Sequence, residues 1–228
     1  GYVKAKQQYP PYLLAQAENA RFNLPDGSLY TTQSSLYQKL TWIATAIDTV
    51  AEACALVPFS VYRREGEDKS DIPNHPFEIK LDNPNPMQSR FEFFRDYFSY
   101  RKLTGNAYVY LNRSNEKEIP SEYWIIPTHL IKPVPDGKSY IKGYVFDDNG
   151  KSMPLETWQV MHDRTFNPLN SFVGLSAIES LALVAKGDLA QQAWGTKLFA
   201  KDNAKIPGAI AFADMINNVD WDRLQLES

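Results

Sequence analysis

RKLTGNAYVYLNR, residues 101–113, changes texture at a single glycine. Upstream of Gly105 the chain is dense in Phe, Tyr and charge. Downstream it alternates, with Ala107, Val109 and Leu111 on one side and Tyr108, Tyr110 and Asn112 on the other. A period of two is the signature of a strand. Glycine just past a helix adopts the left-handed conformation that closes the last carbonyls at little steric cost, and Asn106 tolerates such a turn. The stretch therefore predicts a helix, a glycine cap and a strand in direct succession, with the strand folded back on the helix. The fold class that follows is α+β.

The helix ending at Gly105 opens with Ser89-Arg90-Phe91-Glu92, a capping box in which the serine accepts from a free amide and Glu92 reaches back. Phe91, Phe94 and Phe98 line one face and Phe93, Tyr97 and Tyr100 another, which implies burial on two sides. Asn83-Pro84-Asn85-Pro86 stops a short helix over 75–82. Further upstream, Leu36, Leu40, Ile43, Ile47, Val50 and Cys54 recur at steps of four and three. That stripe predicts one helix over 34–56 with Cys54 in the core, ended by Pro58. Residues 59–63 alternate as a strand, and 64–71 read as a charged hairpin tip. Residues 1–30 read as a polar arm with a short helical piece over 13–20.

Downstream, short strands are expected at 123–126, 130–134, 140–146 and 158–161, punctuated by Pro127, Pro133 and Asp148-Asn149-Gly150. After a loop over 167–174, Ser176-Ala177-Ile178-Glu179 reads as a second capping box opening a long helix to about residue 202. At 1.5 Å per residue it would run about 40 Å. Ala177, Ala182, Ala185, Gly187, Ala190, Ala193, Gly195 and Ala200 give it small side chains throughout. Interior glycines cost about 1 kcal/mol each relative to alanine. A helix carrying that cost, with few large apolar residues, suits close packing against copies of itself better than the spine of its own core. Residues 206–212 read as a strand, and Asn218-Val219-Asp220 as the cap of a further helix.

The chain has 228 residues, a formal net charge of -3 and a pI of about 5.7, which argues against broad wrapping of nucleic acid. The lone Cys54 excludes an internal disulfide and a multi-cysteine zinc site. No apolar run is long enough to span a membrane, and Lys186, Asp188, Lys197 and Lys201 interrupt the longest helix. Of His75, His129 and His162, none has a second ligand three or four residues on, so neither a metal nor a cofactor is expected. Gly174-Leu175-Ser176 lacks the second glycine of a nucleophile elbow. No set of side chains assembles into a catalytic site, and no enzyme is expected.

The order of motifs resembles the portal (connector) proteins of tailed double-stranded DNA bacteriophages, in their siphophage-type branch. The resemblance is carried by Val57-Pro58-Phe59-Ser60-Val61-Tyr62-Arg63 after a helix, by His75-Pro76 through Leu81-Asp82-Asn83-Pro84-Asn85, and by Gly105-Asn106-Ala107-Tyr108 after the aromatic helix. It continues through Tyr123-Trp124-Ile125-Ile126-Pro127, Val160-Met161-His162-Asp163-Arg164, Gly174-Leu175-Ser176-Ala177-Ile178 and Ile206-Pro207-Gly208-Ala209-Ile210. The family usually has proline where this chain has Ala177.

The resemblance implies a structural protein, usually a ring of twelve, at one capsid vertex of the virion, assembled in the bacterial host cytoplasm. Double-stranded DNA would be packaged and ejected through it without sequence-specific contact. Terminase, head-completion or adaptor proteins, and capsid and scaffold proteins would be its partners, with no membrane involved. It also implies an arm over 1–30 and a wing over 31–173, built of helices packed on short antiparallel strands. A stem helix over 174–204 and the start of a clip over 205–228 would follow, in a chain that is a truncated piece of a longer protein. Ala182, Ala185, Lys186, Ala193, Lys197 and Lys201 become candidate channel or inter-subunit positions. Gly105, Ser89, Glu92, Ser176 and Glu179 are candidate structural residues. The competing reading is a non-enzymatic α+β module that binds another protein.

Overall fold

The computed structural model describes residues 10, 13–15, 17, 24–25, 27–148 and 150–200. The chain divides into two compact units, Gly1–Lys186 and Gly187–Ser228. In the first unit the helices are α1 (Gly27–Lys39), α2 (Thr41–Ala55), α3 (Pro76–Asp82) and α4 (Arg90–Thr104). The strands are β1 (Tyr62–Glu65), β2 (Asp68–Asp71), β3 (Asn106–Asn112), β4 (Glu122–Ile126), β5 (Ile131–Asp136), β6 (Tyr140–Asp148), β7 (Lys151–Leu155) and β8 (Val160–Arg164). The long helix α5 (Ala177–Ala200) runs through the boundary between the units.

The strands pair antiparallel throughout, as β1-β2, β4-β3-β8 and β5-β6-β7. Because side chains alternate along β3, its two faces serve two cores. Val109 joins Ala55, Phe93, Phe94 and Tyr123 on the helical side. Tyr108 joins Ile126, Ile131, Tyr144, Leu155 and Val160 on the side of the second sheet. The expected two-sided burial of the aromatic helix is reached through Phe93 and Phe94, whose rings meet edge to face at 5.4 Å. Burying each contributes roughly 1.5–3 kcal/mol.

Three expectations are corrected. Residues 34–56 are not one helix. Leu40 has extended backbone (φ -113, ψ 103) and separates α1 from α2. The break is compact because the Leu40 amide donates to the Leu36 carbonyl at 2.9 Å, while the Leu40 carbonyl accepts from Ala44 at 3.1 Å. The apolar stripe passes through it, with Leu36, Leu40, Ile43 and Ile47 all buried. Beyond Ile47, Ala51 and Ala55 take the inner face, leaving Val50 exposed and Cys54 half-buried. Small residues are needed there because α2 lies directly against α4. Phe59 precedes β1 rather than forming part of it, and its ring stacks on Phe94 at 4.8 Å. The third correction is β7, which the sequence reading lacks. Of its five residues only Leu155 is buried.

Of the expected helical piece over 13–20, Leu13, Leu14, Ala15 and Ala17 are helical and the rest lies outside the described residues. The strand over 206–212 and the cap at 218–220 also lie outside them.

Candidate functional site: the clasp at the root of the long helix

Ser89 caps α4 as expected from its sequence: its hydroxyl accepts from the Glu92 amide at 3.3 Å, and the Glu92 carboxylate accepts from the Ser89 amide at 2.8 Å. At the other end Gly105 is left-handed, with φ 75. It does more than close a helix. A β-carbon there would lie 2.5 Å from the carbonyl carbon of Leu175, and one on Gly174 would lie 2.7 Å from the Thr165 amide nitrogen and collide with the Gly105 carbonyl. Two glycines thus let the backbone leading into α5 press against the α4–β3 junction.

Asn106 locks this contact. Its side chain is fully buried, and its Oδ1 accepts from the Gly174 amide at 2.7 Å and from His162 Nε2 at 3.0 Å. Its Nδ2 donates to the Thr104 carbonyl at 2.9 Å and to the Gly174 carbonyl at 3.4 Å. All four hydrogen-bonding capacities of the amide are used. The bond to Oδ1 fixes the proton of His162 on Nε2. The opposite nitrogen, Nδ1, is buried without a partner. The imidazole stacks on Tyr108 with centroids 4.1 Å apart. Burial, aided by the charge of Arg164 and opposed by Asp163, pushes its pKa down to about 3, so it is neutral.

Thr165 and Ser176 complete the clasp. The Thr165 amide donates to the Gly105 carbonyl at 2.8 Å and its hydroxyl to the Leu175 carbonyl at 2.6 Å. Ser176, 2% exposed, donates to the Leu103 carbonyl at 2.6 Å and accepts from the Ile178 amide at 3.0 Å. The expected box with Glu179 is therefore not what forms. The serine hydroxyl spends its proton on α4, and the Glu179 amide donates to the Ser176 carbonyl at 3.2 Å. Burial first, and then the Glu179 carboxylate, push the Tyr30 hydroxyl up to about 12. On the outer side Asp163 accepts from Tyr97 at 2.7 Å and from Arg101 at 2.6 Å, pinning β8 to α4.

Beyond this root most of α5 is exposed. Over Ala177–Ala200 only Ile178 and Ala185 are buried. Leu183, Val184, Trp194 and Phe199 are all exposed by more than half, and open space surrounds the positions a β-carbon would take on Gly187 and Gly195. Among the expected channel or inter-subunit positions, Lys186, Ala193 and Lys197 are exposed and Ala182 is half-buried. Lys201 lies outside the described residues. Ala185 differs from the others: within the single chain it has no exposure, and it lies on the same face of the helix as buried Ile178 seven residues earlier. Among the described residues no group of three or more His, Cys, Asp and Glu could hold a metal, and no helix is long and apolar enough to cross a membrane. His75 instead caps α3, its Nδ1 accepting from the Phe77 amide at 3.2 Å.

A family model described as phage portal protein matches residues 41–227. The chain belongs to the phage portal protein family. Its fold is similar to that of a chain in the virion of a native gene transfer agent particle, with a TM-score of 0.71 at 22% identity, over 96% of this chain and 59% of that one. The neck of a native gene transfer agent particle computed with C12 symmetry gives a TM-score of 0.60 at 22% identity, over 81% of this chain and 49% of that one. A protein of Rickettsia bellii (strain RML369-C) is 25% identical over 201 residues, 84% of this chain and 50% of the relative. This portal-family chain spans about half the length of the curated relatives it matches.

Three of the seven sequence motifs that carried the family resemblance converge here. Gly105-Asn106 closes α4, His162-Asp163-Arg164 ends β8, and Gly174-Leu175-Ser176 enters α5. Reading from sequence gave Gly105 and Ser176 local capping roles. It missed that Asn106, Gly174, His162 and Thr165 form one clasp with them.

Proposed function

We propose that this chain is the wing and stem portion of a portal that assembles as a ring, usually of twelve copies, at one capsid vertex. In this reading double-stranded DNA enters and leaves through the central channel without sequence-specific contacts. Residues 1–30 serve as an arm, 31–173 as the wing, 174–204 as the stem and 205–228 as the start of the clip. The role is structural rather than catalytic, and the location is the virion, after assembly in the host cytoplasm. Terminase, head-completion or adaptor proteins, and capsid and scaffold proteins are the expected partners.

One observation carries the reading: α5 is clasped at its root and mostly exposed along its length. Leu183, Gly187, Ala190 and Trp194 follow one another at steps of four, three and four, and every one is exposed. That spacing is the seam a helix presents to another helix. Large residues at its ends and small ones between them leave room for a neighbour's side chains. The C12 symmetry of the similar neck supports a ring of such helices. Electron microscopy of the full-length protein tests it. Rings with a central channel are expected, and a protein that stays monomeric at high concentration would end the proposal.

A further inference from the structure

The β1-β2 hairpin stands clear of the rest of the first unit. All eight of its strand residues are exposed, and nothing lies within 4 Å of where a β-carbon would sit on Gly66 at its turn. Its cross-strand pairs set like charges together, Arg64 opposite Lys69 and Glu65 opposite Asp68. Like charges directly opposite each other weaken a ladder, and a lone two-stranded hairpin is marginal in water. Among the described residues, no ion pair reaches the hairpin's charged side chains. Strand alternation puts Arg64 and Lys69 on one face with Tyr62 and Asp71, a net charge of +1, and Glu65 and Asp68 on the other with Arg63 and Ser70, a net charge of -1.

On the same unit α1, α2 and α4 enclose an open cleft of about 460 Å³, lined by Tyr37, Asp48, Glu52, Arg95 and Asp96 among others. Its three carboxylates face one guanidinium, a net charge of -2. Asp48 accepts from Tyr37 at 2.7 Å and Asp96 from Arg95 at 3.0 Å. Glu52 is exposed.

We propose that the hairpin docks on a second copy of this chain, its Arg64–Lys69 face seated in the acidic cleft of the neighbour. The proposal rests on the ring reading above. Hairpin and cleft are different surfaces, so the contact is head-to-tail, the kind that closes a ring rather than a two-fold dimer. Within the chain that face has one carboxylate, Asp71, and the Arg64 guanidinium donates to the Gly66 carbonyl at 3.1 Å, so the cleft's carboxylates supply the further negative charge that offsets the repulsion between Arg64 and Lys69. A nucleic acid is the poorer occupant, since residues 62–71 carry three basic and four acidic side chains.

Charge reversal in the full-length protein tests this, with assembly followed by sedimentation and electron microscopy. Arg64→Glu with Lys69→Glu should raise the concentration needed for half-assembly about tenfold or more, as should Asp48→Lys with Glu52→Lys. Combining all four substitutions should bring it back to within about threefold of wild type. Melting of the hairpin variant should match wild type, because its side chains touch no core. Rings unaffected by the hairpin reversal overturn the inference, as does loss of assembly that the cleft reversal fails to rescue. Wild-type protein that makes no rings at all counts against the portal reading itself and removes this inference with it.

Discussion

Gly105 and Gly174, 69 positions apart in sequence, meet backbone to backbone, and neither has room for a β-carbon. The left-handed φ of Gly105 adds a conformational demand that Gly174 lacks. Gly105→Ala should therefore combine a backbone penalty with a clash against Leu175, and Gly174→Ala should bring the larger clash with the Gly105 carbonyl. We expect each to lower stability by about 3 kcal/mol, with Gly105→Val more damaging still. Thermal melting checks this, and unchanged transitions would mean that the two segments separate freely.

Asn106→Asp keeps the shape of the side chain and removes both of its donors. The Thr104 and Gly174 carbonyls would then face an acceptor in a site with no exposure. We expect a loss of about 2–4 kcal/mol, partly recovered on acidification as the carboxyl regains a proton to donate. Denaturant titrations of the variant at two pH values would detect the recovery. A variant as stable as wild type at neutral pH would refute this account of the clasp.

His162 gives the folded chain an acid-sensitive point. The unfolded imidazole takes up its proton near the ordinary 6.5, the folded one only near 3. Between those values the unfolded state holds more protons. Stability is thus complete above 6.5 and falls as pH drops toward 3, by on the order of 5 kcal/mol over the full span. His162→Phe can keep the stack on Tyr108 but loses the bond to Asn106. It should be less stable than wild type near neutrality and show a shallower fall in acid. A slope unchanged by the substitution would place the sensitivity elsewhere.

Local chemistry made much of this fold legible, and distance in sequence hid the rest. Gly105, Ser89 and Glu92 act within one turn of themselves, so their roles follow from spacing alone. Asn106 reads only as a residue that tolerates a turn, because its partners His162 and Gly174 lie 56 and 68 positions away. The break at Leu40 left no mark because neither glycine nor proline stands there and the apolar stripe keeps its phase across it. Strand β7 escaped for the opposite reason. It is an exposed edge with Pro154 inside it, so no alternation announces it.

The two alanines that sequence placed together on the long helix should separate in experiment. Ala185 has no exposure, so Ala185→Leu overfills a packed site and should cost about 1–3 kcal/mol in the fold of the chain itself. Ala193 is exposed, so Ala193→Leu should leave melting unchanged. Its effect should appear only where another copy approaches, as weaker or irregular rings of the full-length protein. Trp194→Ser should act in the same way by removing an exposed knob from the seam. Melting and ring yield, measured on the same three variants, distinguish a helix that serves its own core from one built to meet its neighbours. Normal rings from both the Ala193 and the Trp194 variants would show that the exposed length of α5 is not where copies meet.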